Sequence, residues 1–267
     1  MTMSAGGKPQ SGVKAAIYWL APYLVIAAFL LVWELTVRIR DIPPIFLPAP
    51  SAIVKYLIEM TLDGSMPYHL SITFLRIMAG FLVAGFFGIL VGIAMGMSAL
   101  IARIVDPWIA ALYPLPKISL IPLLIIWLGT GESYKIVISA VTAFFPVAIS
   151  TFAAIRQVDS GLMKAAKDLG ANARQVQFNV VIPAALPGIF SGLQLGMGVT
   201  IIMIVAAEMI GGTSDSGMGY LLIHAGQVLE TEKVFAGLIV LAVFGAVITY
   251  GQKRIDRLIA PWAHRDH

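Results

Sequence analysis

Between Ser160 and Gln175 the chain carries Lys164, Lys167, Asp168, Asn172 and Arg174 in quick succession, and apolar runs flank this polar island on both sides. The groups do not form a set able to break bonds; their chemistry is recognition. Leu162, Ala165 or Ala166, and Leu169 fall on one face at helical spacing. Asp159 or Ser160 can cap the start of that helix, and Gly170 suits the left-handed position that ends one. Asn172 with Gln175 has the form of a capping box opening a second helix, and Pro183 and Pro187 mark the return into apolar sequence. The two alanines make the first helix thin enough to sit deep in a partner's groove. An element of this shape either grips something outside the bilayer or lies on the membrane as an amphipathic loop.

Three further places carry charge or broken helix among apolar residues. Glu208 sits near the outer end of an apolar run, where an ionisable group is costly and faces a cavity or a partner; a gate and a structural hydrogen bond are both open. Pro114, Pro116 and Pro122 must break another run around Lys117 and Ser119. Lys117 there either lines a pathway for an anion or snorkels to the interface. Gly129-Thr-Gly131-Glu132 is a tight outer turn that either offers, with the Pro43–Pro50 segment, a docking place for an external partner or is a plain connection, the reading preferred for Glu132 itself. His69, His224, His264 and His267 lack partners at ligand spacing, so neither a catalytic nor a metal role is expected. The phosphate-binding pattern GxxxxGK[ST], HExxH and a Ser/His/Asp set are absent, as is cysteine. An enzyme is not expected, and no cofactor.

The elements that position these residues follow from composition. The chain is 59% hydrophobic and 12% charged, against roughly 25% charged in soluble domains, and its mean hydropathy is +0.89. The expectation is an all-α polytopic membrane protein with six spans near 18–37, 76–97, 107–128, 135–154, 188–210 and 234–251. The first run is too long for a signal-peptide core and no A-x-A site follows it, so it reads as an uncleaved span. Prolines from Pro43 to Pro50 forbid a helix, after which Ser51 caps a short amphipathic one. With an inside N-terminus, eleven of the eighteen Lys and Arg fall in the cytoplasm and six outside, Arg76 among the six, with Lys117 unassigned. Both termini and the polar island are then cytoplasmic. Residues 1–17 and 252–267 become tails of a permease domain over 18–251, with its loop at 156–187. The side bias also explains the net charge of +4 without nucleic acid. Gly88, Gly92 and Gly96, and again Gly188, Gly192 and Gly196, line single helix faces, either for packing within one subunit or for a subunit interface.

The island also resembles a known motif. Lys164-Ala165-Ala166, three residues, Gly170, nine residues, then Val180-x-Ile182-Pro183 is similar to the EAA loop of ABC-importer permease subunits, with Lys164 where the family has glutamate. Phe46-Leu-Pro48-Ala-Pro50-Ser51, Gly92-Ile-Ala-Met-Gly96-Met-Ser98, Asp106-Pro107, Pro122-Leu-Leu-Ile-Ile-Trp127-Leu-Gly129-x-Gly131-Glu132 and Ala206-Ala207-Glu208 resemble the nitrate/sulfonate/taurine-type branch. The resemblance implies the type I importer permease fold in a bacterial inner membrane, with a cytoplasmic coupling helix-turn-helix. It implies a dimer of permease subunits (a homodimer is expected), a cytoplasmic ABC ATPase dimer, and an extracytoplasmic binding protein delivering a small anion or zwitterion. Leu162, Lys164, Ala165, Ala166, Leu169, Gly170 and Pro183 become the coupling residues; Lys117, Ser119 and Glu208 are pathway candidates. The competing class is a secondary transporter or channel without an ATPase, which six spans and a broken helix also suit.

Overall fold

Proline and glycine cut the apolar chain into helices, and their positions set the topology. The computed structural model describes residues 12–211 and 216–259, with side chains from Leu20 onward. Among these residues every regular element is helical. Helix α1 (Gly12–Ile39) runs through Pro22. Pro43 and Pro44 hold the next segment open until α2 (Pro50–Leu62), which starts on Pro50 itself with Ala49 as the extended N-cap. Proline lacks the N–H that a first helical residue would leave unused, so the helix begins one residue before the expected Ser51 cap. Ser51 instead donates its backbone N–H (3.0 Å) and hydroxyl (2.7 Å) to the Glu34 carboxylate, tying α2 to α1.

Helix α3 (Ser65–Met97) is about 50 Å long. It begins well before the expected start at 76, because Met66 and Leu70 pack against α2 and the chain's C-terminal helices. Arg76 therefore lies three turns inside the helix rather than flanking it. Ser98 caps α4 (Ala99–Leu112), accepting the Ile101 N–H at 3.3 Å. The chain then breaks at Tyr113–Pro116, makes a 3₁₀ turn over Lys117–Leu120, and continues as α5 (Ile121–Leu128). The axis of Lys117–Leu128 is bent 86° from that of α4. The expected third span is thus two short helices meeting at the prolines.

The remaining helices are α6 (Glu132–Arg156), α7 (Ser160–Asp168), α8 (Ala173–Val176), α9 (Ile182–Ile210), α10 (Met218–Gln227) and α11 (Thr231–Ile259). A π-turn over Gln177–Val181 joins α8 to α9, so an apolar helical stretch runs from Ala173 to Ile210. Pro183 and Pro187 fall inside this stretch instead of starting it. The wider turn ends just before Pro183, where the missing N–H falls at a junction between hydrogen-bonding patterns. Helix α11 continues past 251 to Ile259. Among the described residues five helical stretches are long and apolar enough to cross a membrane, and the bent pair makes six.

The glycine stripes face inward on α6. Methyl groups at Gly88, Gly92 and Gly96 of α3 would meet Val147, Thr151 and Ile155; at Gly188, Gly192 and Gly196 of α9 they would meet Ala154, Ser150 and Val147. Helix α6 is held between α3 and α9 at backbone-to-backbone range. Without water to drive association inside a bilayer, such close van der Waals contact is the main source of helix attraction. The periphery is looser: 44% of the apolar window of α6 is buried, but 6% of that of α1 and 11% of that of α11.

Candidate functional site

The α6–α9 loop is built from local hydrogen bonds. Asp159, one of the two capping candidates, accepts the Gly161 N–H at 2.7 Å and starts α7. The helix ends in a Schellman motif: the Gly170 N–H donates to the Lys167 carbonyl (2.8 Å) and the Ala171 N–H to the Ala166 carbonyl (3.0 Å). Gly170 has φ +89°, and a side chain there would meet nothing within 4 Å, so the backbone angle alone calls for glycine. Asn172 and Gln175 close the expected capping box at 2.9 and 2.8 Å. These bonds hold the turn locally although α7 is exposed on its outer side.

The single apolar face expected for α7 divides in two. Met163 and Ala166 pack on a cluster of Ile155, Val176, Val181, Ala185 and Ile189. Leu162, Lys164, Ala165, Leu169 and Gly170 are exposed, Leu169 at 90%. Pro183 is half-buried in α9 and does not share that outer surface. Helix α7 thus presents leucine and alanine outward on an otherwise polar loop, held by a second apolar face behind.

At the opposite end of α6 lies an ionic cluster in which Arg76, Lys135 and Glu208 are buried and Glu132 is exposed at the edge. Arg76 of α3, 3% exposed, uses every guanidinium nitrogen. Its Nε and Nη2 donate to the two oxygens of Glu132 at 2.5 and 2.6 Å, a bidentate pair. Nη1 donates to Glu208 Oε1 at 2.6 Å and to the Ser216 carbonyl at 3.0 Å, and Nη2 also reaches the Ser216 hydroxyl at 3.1 Å. The fully buried Glu208 carboxylate further accepts from the Thr73 hydroxyl at 2.9 Å and the Gly219 N–H at 2.9 Å. Thr73 accepts the Met218 N–H at 2.8 Å, and His69 Nδ1 the Gly217 N–H at 3.1 Å. Side chains of α3 and α9 therefore cap the free N–H groups that open α10. Lys135, fully buried, lies 3.5 Å from Glu132. Among the described residues two cations face two carboxylates.

The three pathway candidates do not share one site. Glu208 is absorbed into the cluster with both oxygens bonded. Lys117 is half-buried at the α4–α5 break, where its ammonium donates to the Tyr113 carbonyl and lies 4.8 Å from the Phe145 ring centre. Phe145 is about 20 Å along α6 from Glu132. Ser119 is exposed and donates to the Pro116 carbonyl at 2.7 Å. Arg76, Thr73, Glu132 and Lys135 were not expected at a site, and Glu132 is more than a connecting residue. One signal pointed to them: a carboxylate as deep as Glu208 needs a cation, and Arg76 borders the expected second span. His264 and His267 lie outside the described residues.

The described residues thus form a bundle of membrane-length helices with an exposed helix projecting between two of them. Residues 84–261 match the family described as the binding-protein-dependent transport system inner membrane component, and the chain belongs to that family. It is 37% identical over 242 residues to the taurine transport system permease protein TauC of Escherichia coli (strain K12), covering 89% of this chain and 87% of that one. It is 35% identical over 267 residues to the putative aliphatic sulfonates transport permease protein SsuC of Bacillus subtilis (strain 168), covering 97% and 96%. Its fold is similar to that of the inward-facing MetNI methionine ABC transporter (TM-score 0.57, 23% identity, 72% and 96% covered). It is also similar to an amino acid ABC transporter crystallised with histidines (TM-score 0.56, 20% identity, 78% and 95% covered). The chain is an ABC-importer permease subunit of type I fold, and the competing secondary-transporter class is set aside. The family's description itself carries dependence on a binding protein.

Proposed function

We propose that this chain pairs with a second copy to form the translocation pathway for a small organic sulfonate or a related anion or zwitterion, with taurine and alkanesulfonates ahead of nitrate. Helix α7 docks in a cleft of a cytoplasmic ATPase, so the termini and α7 lie on the cytoplasmic side of a bacterial inner membrane. One coupling helix per chain calls for two chains to serve two ATPase subunits. The coupling reading is supported chiefly by the outward Leu162, Ala165 and Leu169 on a helix stiffened at both ends. The substrate class is supported by the similarity to taurine and sulfonate permeases.

Nucleotide binding pulls the two α7 helices together, and each α7 moves α6 and α9, the spans on either side of it. Because glycines seat both spans against each other and against α3, the three move as one body. Lys117 and Ser119, at the α4–α5 break, face the pathway and offer a positive charge and a hydroxyl to a sulfonate. Glu208 supports this body from within rather than lining the path. ATP hydrolysis belongs to the partner.

The test is purification of the tagged chain in mild detergent with identification of co-purifying proteins. An ATPase at equal stoichiometry, lost on Ala165→Asp with Leu169→Asp, is the expected result. Taurine or alkanesulfonate uptake by the reconstituted complex, with KM raised in Lys117→Gln, tests the substrate. A chain that purifies alone under several mild conditions overturns the coupling reading.

A further inference from the structure

Behind α7, on the side away from Leu162, Ala165 and Leu169, lies a pocket of about 290 Å³. Its floor is Ile155, Met163 and Val181, and Arg156 and Lys167 stand at its wall. Met163 and Lys167 are one turn apart on the inner side of α7, so a partner gripping the outer side leaves this pocket uncovered. Neither Arg156 nor Lys167 has an ion pair or side-chain hydrogen bond among the described residues, and no acidic residue lines the pocket. Gln177 and Val181, the two ends of the π-turn, both border it. A π-turn widens a helix locally and recurs at functional sites.

The depth of the pocket identifies its occupant. Arg156 is the last residue of α6, and Met97, also in the wall, is the last of α3. Two membrane-crossing helices end at the pocket, which puts it at the headgroup layer. Unpaired cations above an apolar floor at that depth match a phosphodiester on an acyl chain. The geometry points to a binding site for an anionic phospholipid headgroup, wedged between the coupling helix and the bundle. The lipid phosphate bridges Arg156 on the rigid body and Lys167 on α7, and the first acyl carbons cover Ile155 and Met163. The site ties the pivot of α7 to the membrane surface and depends on no particular transported substrate.

Native mass spectrometry of the purified full chain, titrated with phosphatidylglycerol, phosphatidylcholine or octanesulfonate, tests this without transport or an ATPase. Its failure is therefore separate from failure of the importer reading. The wild type should retain phosphatidylglycerol in preference to phosphatidylcholine. Arg156→Gln with Lys167→Gln should weaken that retention about thirtyfold, two surface cations' worth. The charge-preserving pair Arg156→Lys with Lys167→Arg should restore it. Lys253→Gln with Arg254→Gln removes equal charge from α11, away from the pocket, and should leave it unchanged. Equal retention of both lipids by the wild type, or equal loss in the α11 pair, overturns the site. Preference for octanesulfonate over phosphatidylglycerol that is lost in the Arg156→Gln, Lys167→Gln pair and kept in Lys117→Gln overturns the lipid assignment in favour of a soluble amphiphile.

Discussion

Helix α6 ends in two different ways. At Glu132 it enters a cluster in which Arg76, Glu132 and Glu208 are bonded across three long helices and the start of α10. At Arg156 it leaves a cation without a partner among the described residues, beside an exposed helix carrying Leu169 at 90% exposure. A charge inside a bilayer is tolerated when its partners are already in place, so the first end is built to hold its shape. The second end keeps its apolar and cationic groups uncommitted, as a surface awaiting a partner does. Polar residues of one type thus stand at opposite ends of one helix, and pairing separates the structural end from the end proposed to work.

The comparison breaks most visibly at Arg76. Arg76→Leu leaves Glu208 charged and buried without its cation and should cost about 3–5 kcal/mol. Arg76→Leu with Glu208→Leu removes both charges and should cost less than Arg76→Leu alone, because no uncompensated charge stays buried and the Glu132–Lys135 contact remains, although the Gly219 N–H and the Thr73 hydroxyl lose their acceptor and Glu132 and Ser216 lose the Arg76 donor. Thermal unfolding in detergent measures both. A double variant as unstable as the sum of the two singles would show that the cluster is not an electrostatic unit.

Next in size is the glycine seam that joins the two ends. A methyl at Gly92 would stand 2.5 Å from Thr151 Cβ and 2.7 Å from the Ala148 carbonyl oxygen, and a backbone atom cannot step aside. Gly92→Ala should cost about 1–3 kcal/mol. Gly198, on the exposed side of α9, has nothing within 4 Å, and Gly198→Ala should be neutral or slightly stabilising. Equal melting temperatures for the two variants would remove the rigid three-helix body from the mechanism.

At the working end the effect on stability is smaller and the effect on coupling larger. Gly170→Val forces a β-branched residue to φ +89°, at roughly 1–2 kcal/mol of backbone strain, with no side chain to collide with. Gly170→Asn should be milder, since asparagine visits left-handed angles. Transport per ATP hydrolysed should fall in Gly170→Val and be largely kept in Gly170→Asn, with both variants folded. Normal transport by the valine variant would sink the lever.

These two ends were unequally legible in the sequence. The α7 turn could be read because its determinants are neighbours: Asp159 with Gly161, Ala166 to Ala171, Asn172 with Gln175. Which side of α7 faces the core could not, because Val176, Val181 and Ile189 come from the following helix. The cluster joins residues 73, 76, 132, 208 and 216–219, and no local spacing records a contact between positions so far apart. Glu208 announced that a partner was needed without naming it. Hydropathy located the long helices, but it missed the first three turns of α3, whose residues bury on α2, α10 and α11 rather than in lipid.

The smallest effect contrasts a wet carboxylate with the buried Glu208 at the same end. Asp63, between α2 and α3, is exposed and accepts the Ser65 N–H at 2.8 Å. That backbone bond, reinforced by the Ser65 side chain, holds its carboxyl below the ordinary value of 3.8. A group whose folded pKa is lowered stabilises the fold above its unfolded pKa and loses that contribution as pH falls through the folded one. The melting temperatures of wild type and Asp63→Asn should therefore differ by a small constant amount above about pH 5 and converge in acid below the ordinary carboxylate range. Other carboxylates titrate in the same window, so the difference between the two curves is the quantity to read. A difference that persisted unchanged into acid would mean that Asp63 acts through its shape and not its charge. The distinction drawn between exposed capping and buried pairing at this end would then need another basis.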